Sequence, residues 1–441
     1  LFIIDFVLHK EAKMGKYTLK CLACGKEYED DFFRLECDGR HSPSLLRTVY
    51  EKNKLNVKED RPGMFRFEDF LPVSRTLDVK GAPVTYRSEQ LANYLGLENL
   101  FVIFNGYWPE KGAYMDTASF KELEAPSVLG RIPENCKDTI VVASAGNTGR
   151  AFAYVCSRNH IPLLLVVPEK NRDEIWSTEP LSSTVRLVCA GGNSDYTDAI
   201  KLAEKINGLN GFFPEGGAKN VARRDGMATT VLDAAHRMRR IPDHYFQAVG
   251  SGTGGISAWE SYVRLREDGS YGDGKMTLHL SQNAPFTPIT DAWNAKQRSF
   301  PELEEERAKE DIRRIIAHVL SNRKPPYSIK GGVFDVMSDS SGRMYSVTNE
   351  EVIEAQALFA HYEKIDIHPA AGVALGSLIQ AKEQNLIQSH DYIALNVTGG
   401  GEDRVKNELQ IHFLEPLVTF TDEEIHGDGI EEMLQDILVA G

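Results

Sequence analysis

The chain has 441 residues, 42% of them hydrophobic and 26% charged, a globular composition that excludes a disordered protein. Its net charge of −14 repels phosphate backbones at long range and argues against a nucleic-acid binder. No apolar run approaches the roughly 20 residues that span a bilayer, so membrane partners are not expected either.

In chain order, the opening "LFIIDFVLHKEAK" is apolar but carries Asp5 and lacks a basic start and a small-residue cleavage site, so it does not read as a signal peptide. Met14 is a more natural start, and residues 1–13 are expected to be an extension. Six cysteines in a long chain fit a reducing cytoplasm better than a disulfide framework. Four potential metal ligands, Cys21, Cys24, Cys37 and His41, fall in "CLACGKEYEDDFFRLECDGRH". A C-x2-C turn joined by a third thiolate and an imidazole suits four-coordinate structural zinc. The same spacing also suits a knuckle that has lost its metal and keeps free thiols.

Lys121 follows in "TASFKELEA", flanked by Glu122 and Glu124. By itself it reads equally as one charge of a salt-bridged helix face. Lys111 is its rival, in a turn where exposure is expected. From about residue 95 to 400 short apolar runs alternate with longer amphipathic ones. "DTIVVASAGNTGRAFAYVCSRN" is strand, turn, helix; "IPLLLVVPE" and "TVRLVCAGG" are buried strands; "YTDAIKLAEKIN" is a helix. "HYFQAVGSGTGGISAWESYVRLRE" repeats strand, glycine loop, helix, and "KMTLHLSQ" and "DYIALNVTGGG" close the series. This alternation predicts parallel sheets covered by helices on both faces, with ligands beyond the carboxyl ends of the strands. The charged stretch 296–325 reads as a solvated helix, and the acidic tail past 414 offers one amphipathic helix.

Three turns fall at such strand ends. In "GSGTGG", Gly250 to Gly255, glycines let backbone N–H groups converge at a helix start, which makes a phosphate cradle. The spacing is not that of a dinucleotide fingerprint. In "SAGNTG", Ser144 to Gly149, Asn147 can aim an amide at an oxygen while Ser144 and Thr148 hold a carboxylate, or these residues simply cap a helix. In "NVTGGGEDR", Thr398 points toward the same crevice.

The order lysine, S-x-G-N-T, glycine loop, late Thr-Gly resembles the fold type II pyridoxal-phosphate enzymes, which include threonine synthase, O-acetylserine sulfhydrylase and the tryptophan synthase β chain. The resemblance implies an α/β fold of two open twisted sheets flanked by helices, with a small Cys-rich N-terminal segment. It implies a larger cofactor-binding domain from 61–125 and 235–415, a smaller one from 126–234, an N-terminal segment from 14–60 and a C-terminal stretch from 416–441. Lys121 becomes the Schiff-base lysine, Asn147 the partner of the ring hydroxyl, Gly252, Thr253 and Gly254 the phosphate site, and Thr398 the partner of the ring nitrogen. "PPYS", "GGVFDV", "VTNEEV" and "IHPAAGVALGSL" are similar to the threonine synthase branch, and "NVARRDG" stands where that branch has Asn-Pro-x-Arg-x-Glu-Gly. There are departures: "YMDTASFK" lacks the usual Asn-Pro-Thr-Gly, and the glycine loop is closer to the sulfhydrylases.

The stretch "FNGYWPEKGAYMDTASFKELEAP" is similar to the cysteate synthases, threonine synthase relatives of coenzyme M biosynthesis that make L-cysteate from O-phospho-L-serine and sulfite. A hydroxyl rather than a carboxylate at the ring nitrogen weakens the electron sink, which favours prompt loss of a β leaving group. Both implied substrates are anions, so an acidic protein must gather cations locally. Arg223 and Lys219 are the leading candidates, with Arg224, Arg150, Arg323 and Lys324 behind them. A threonine synthase acting on O-phosphohomoserine and a non-catalytic amino-acid-binding regulator of the same fold are the alternatives. A homo-oligomer is the form the resemblance implies.

Overall fold

The computed structural model describes residues 16–144, 146–192, 194, 196–427 and 429–438. The expected extension at 1–13, Met14 and Ala145 of the "SAGNTG" turn lie outside them.

Two sheets carry the chain. In the larger, the strands run in the order Arg343–Val347, Thr277–Asn283, His244–Ala248, Tyr392–Val397, Asn99–Phe104 and Val84–Arg87. All neighbours are parallel except the last pair, where Val84–Arg87 closes the edge antiparallel. The smaller sheet is parallel throughout, in the order Phe212–Pro214, Thr139–Ala143, Leu163–Pro168, Val185–Ala190 and Val418–Phe420. Leu163–Pro168 is buried at all six positions, because helices cover both faces and no side chain reaches water. The acidic C-terminal stretch thus supplies a strand to the smaller sheet before its helices Asp422–His426 and Ile430–Leu438. A small antiparallel sheet of Glu27–Tyr28, Tyr17–Cys21 and Leu46–Tyr50 forms the N-terminal segment.

The strand ends converge as the alternating pattern predicts. Thr139–Ala143 runs into Ser144, His244–Ala248 into the glycine loop, and Tyr392–Val397 into Thr398. Between the sheets lies the helix Val221–Met238, buried along nearly its whole length. Its Asn220 cap accepts the Ala222 N–H at 3.0 Å, so one side chain satisfies a donor that the first turn leaves unpaired. At Gly226 a Cβ would fall on the Leu123 carbonyl; only glycine lets this helix come so close to the turn that holds Lys121. The charged stretch is a helix over Glu305–Arg314, mostly exposed. Among the described residues no helix is long and apolar enough to cross a membrane.

Candidate active site

Lys121 sits in a short helical turn, Phe120–Leu123, that leads straight into the helix Glu124–Arg131. Two backbone bonds sew this turn to the end of the central strand: Phe120 N–H donates to Thr398 O at 3.0 Å and Gly400 N–H to Ala118 O at 3.1 Å. Ala118, fully buried, takes a left-handed φ of 52°, a conformation an alanine adopts only when its surroundings impose it. The Lys121 side chain is 23% exposed, and its amine lies 2.5 Å from a carboxylate oxygen of the fully buried Glu124. Burial pulls the amine below its ordinary value; Glu124 opposes that shift and the Arg223 charge adds to it. The acidic neighbour expected of a helix-face lysine is therefore present, but inside the protein.

The glycine loop ends at the helix Thr253–Asp268. Gly252 has φ +83°, and the added Cβ of any other residue would run into Val333. Ser251 Oγ accepts the Thr253 N–H at 3.3 Å, which leaves the buried Gly254 and Gly255 N–H groups without a protein partner among the described residues. Unpaired buried donors at the positive end of a sixteen-residue helix fit a phosphate. Thr398, 7% exposed, has no hydrogen-bond partner for its hydroxyl among the described residues. Across the crevice, Asn147 opens the helix Asn147–Arg158. Its Oδ1 accepts from Arg150 at 2.5 Å, which directs the amide nitrogen the opposite way, as a donor. These groups match the polar atoms of pyridoxal phosphate: an amine for its aldehyde, an amide donor for its ring oxygen, a hydroxyl for its ring nitrogen and N–H groups for its phosphate.

The remaining sequence candidates separate. Ser144 Oγ accepts the Gly149 and Gly146 N–H groups at 2.9 and 3.4 Å, so it holds its own turn together and keeps only its hydroxyl proton to offer. Thr148 Oγ1 accepts from Arg223 at 3.2 Å. Arg223 also reaches Glu215 at 2.7 Å and Glu124 at 2.8 Å, and these carboxylates raise its already high proton affinity against the cost of burial. Lys121, Glu124, Arg223 and Glu215 thus form one buried alternating chain of charges. Lys219 stands outside it, half-exposed and paired with Glu36. Arg224 is buried against Glu260 at 3.0 Å, Arg323 lies 3.7 Å from Glu305, and Lys111 stacks over the Tyr86 ring. Arg150 is buried, lies over Trp176 and pairs with Glu402 at 3.3 Å; Glu402 also meets His368 at 2.9 Å.

Sequence reasoning missed Glu215, Glu402, His368 and Tyr196, whose hydroxyl donates to Ala143 O at 3.3 Å. Glu402, His368 and Tyr196 lie in "NVTGGGEDR", "IHPAAGVALGSL" and "YTDAIKLAEKIN", but nothing in those stretches singles them out, and Glu215 lies in none of the quoted patterns. "PEGG" around Glu215 precedes Arg223 by eight residues, and only folding turns the two toward each other.

At the N-terminal segment, one ligand atom from each of Cys21, Cys24, Cys37 and His41 lies within 4.8 Å of all the others. Cys24 and Cys37 sulfurs are 3.7 Å apart, and His41 Nε2 is 3.4 Å from Cys21 and 3.2 Å from Cys37. Zinc bond lengths in a tetrahedron give edges of about 3.5–3.8 Å. His41 Nδ1 faces Ser42 O at 2.7 Å, which leaves Nε2 as the lone-pair nitrogen.

Comparison with known proteins follows the same line. The family model "Pyridoxal-phosphate dependent enzyme" matches residues 107–399. The chain is 47% identical over 419 residues to the cysteate synthase of Methanosarcina mazei, covering 95% of this chain and 100% of that one. It is 48% identical over 429 residues to the cysteate synthase of Methanocella arvoryzae, covering 96% and 100%. Among solved structures, maize serine racemase superposes with a TM-score of 0.55 at 14% identity, over 74% of this chain and 90% of that one. The processed form of threonine deaminase isoform 2 from Solanum lycopersicum gives 0.57 at 16%, over 81% and 98%. At such identities these two structures speak for the fold alone.

Proposed function

The chain belongs to the pyridoxal-phosphate dependent enzymes and, within them, to the cysteate synthase family; from that premise we propose that it replaces the phosphate of O-phospho-L-serine by sulfite. The C–O bond at the substrate Cβ breaks, a C–S bond forms there, and the products are L-cysteate and inorganic phosphate. The observation that carries this reading is the Lys121 amine, held against the fully buried Glu124 in a turn sewn by backbone to Thr398.

Pyridoxal phosphate bound here supplies an aldehyde and a ring that draws electron density from the substrate Cα. Gly252, Thr253 and Gly254 would hold its phosphate, with the Gly255 N–H beside them; Asn147 would donate to its ring oxygen and Thr398 would meet its ring nitrogen. Lys121 Nζ takes the Cα proton and returns it once sulfur has added. Desolvation favours the neutral amine this step needs. Arg223 and Thr148 hold the substrate's anionic groups, a reading supported by their 3.2 Å contact next to Lys121. Ser144 and Lys219 were natural candidates by spacing; the bonds they make support a turn-holding role for the first and a peripheral one for the second.

Cys21, Cys24, Cys37 and His41 hold one structural zinc, a reading supported by the gathering of their four ligand atoms within 4.8 Å of one another. We place the enzyme in the cytoplasm, which its six thiols, none in a disulfide, support, and expect a homo-oligomer. Borohydride reduction of the holoenzyme followed by peptide mapping tests the site. The cofactor mass is expected on the peptide holding Lys121, and Lys121→Ala is expected to retain no activity. A label on any other lysine contradicts the assignment.

A further inference from the structure

The N-terminal knuckle touches more than itself. Twelve residues separate Cys24 from Cys37, and the loop they form lies over the segment that leads to Arg223. Phe33 meets Phe213 edge to face with ring centroids 5.1 Å apart. Leu35 covers Gly216 so closely that a Cβ there would enter its side chain, and Glu36 pairs with Lys219. Asp30 makes a two-pronged ion pair with Arg131 at 2.6 and 2.8 Å, at 5% and 1% exposure. The same guanidinium donates to Asn220 Oδ1 at 3.1 Å. Asn220 in turn caps the helix that carries Arg223 and donates to Glu215 O at 2.7 Å. Val221, the first residue of that helix, lies in one apolar cluster with Leu19, Cys21, Tyr28 and Leu46.

The loop has little to order it from within. Phe32 and Phe33 are both over a third exposed, and inside the loop Asp30 and Asp31 meet only the N–H groups of Phe32, Phe33 and Arg34 and the Arg34 guanidinium at 3.5 Å. A buried ion pair such as Asp30–Arg131 repays its desolvation only when its geometry is held. Pinning both ends of the loop to one metal removes the closure entropy that would otherwise oppose that geometry.

We propose that the zinc knuckle is a brace for the active site: by fixing residues 29–36 it fixes the Glu215–Arg223 corner, and with it the grip on the substrate's anionic groups. This rests on the zinc and Arg223 readings above. Loss of the metal should weaken substrate binding and leave the chemistry at Lys121 intact.

The test uses the cofactor-loaded enzyme, zinc-loaded or stripped by chelation, and a Leu35→Ala variant that leaves every ligand in place. Metal analysis is expected to give one zinc per chain in the native and Leu35→Ala proteins. Hydrogen–deuterium exchange is expected to speed up over 212–224, but not over 253–268, in both the stripped and the Leu35→Ala enzyme. In both, KM for phosphoserine is expected to rise about tenfold with kcat within about twofold, as a loss of binding without loss of the chemical step would give. Faster exchange over 212–224 with an unchanged KM keeps the brace and overturns the Arg223 reading. Unchanged exchange in both enzymes, with one zinc present, overturns the brace and leaves the zinc site standing. A native protein without zinc overturns the zinc reading and the brace with it.

Discussion

Glu122 and Glu124 flank the same lysine-bearing turn and do different work. Glu124 is ion-paired to Lys121 and Arg223. Among the described residues Glu122 makes no ion pair: its carboxylate accepts the N–H and hydroxyl of Thr117, at 3.0 and 2.9 Å. Burial first, and the Asp116 charge second, push it up to about 8 from an ordinary 4.5. The folded protein therefore keeps a proton that the unfolded chain releases above 4.5. Its contribution to stability is full below that pH and drains away as pH rises to about 8. Glu122→Gln is expected to remove this slope, so that its thermal stability gains on the native protein between pH 5 and 8; parallel melting curves would contradict it. Arg223→Lys keeps the charge but gives up the fork that spans Glu215, Glu124 and Thr148. It is expected to raise KM for phosphoserine by about 10- to 100-fold, with a smaller fall in kcat.

The "SAGNTG" and "GSGTGG" turns are legible as strand, small residues, helix, because that pattern is local; at Thr398 only the strand end and its turn are legible. What each side chain does within its turn is not. Ser144 reads as either a ligand-binding hydroxyl or a helix cap, and its bonds to the Gly146 and Gly149 N–H groups are those of the cap, a choice set by the curl of the backbone. The glycine loop carries a sharper constraint. Gly252→Ala forces an L-residue into φ +83° against Val333, at a cost of about 1–3 kcal/mol, expected as a lower Tm and faster loss of cofactor on dialysis. Gly226→Ala drives a methyl into the Leu123 carbonyl; overpacking of that kind costs about 1–3 kcal/mol. It is expected to displace the lysine turn and lower kcat more than a comparable loss of stability elsewhere.

Across the whole molecule, the periodicity from about residue 95 to 400 carried the α/β class, but the partners it brings together are distant in sequence. Glu124 and Arg223 meet over 99 positions, and the knuckle reaches Asn220 through Arg131. No composition or spacing rule reports such meetings. The C-terminal stretch is a further case: Phe420, Ile425, Ile430, Leu434 and Leu438 bury themselves against Ala199, Leu202 and Ile206. At about 1.5–3 kcal/mol for each large side chain, deleting residues 416–441 is expected to cost several kcal/mol and abolish cooperative unfolding. The activity of the intact protein is the decisive matter. Supplied with O-phospho-L-serine and sulfite, the purified holoenzyme should yield L-cysteate and phosphate in equal amounts by mass spectrometry and phosphate assay, and no threonine from O-phosphohomoserine. Threonine from phosphohomoserine, or phosphate release from phosphoserine without a new carbon–sulfur bond, would contradict the assignment.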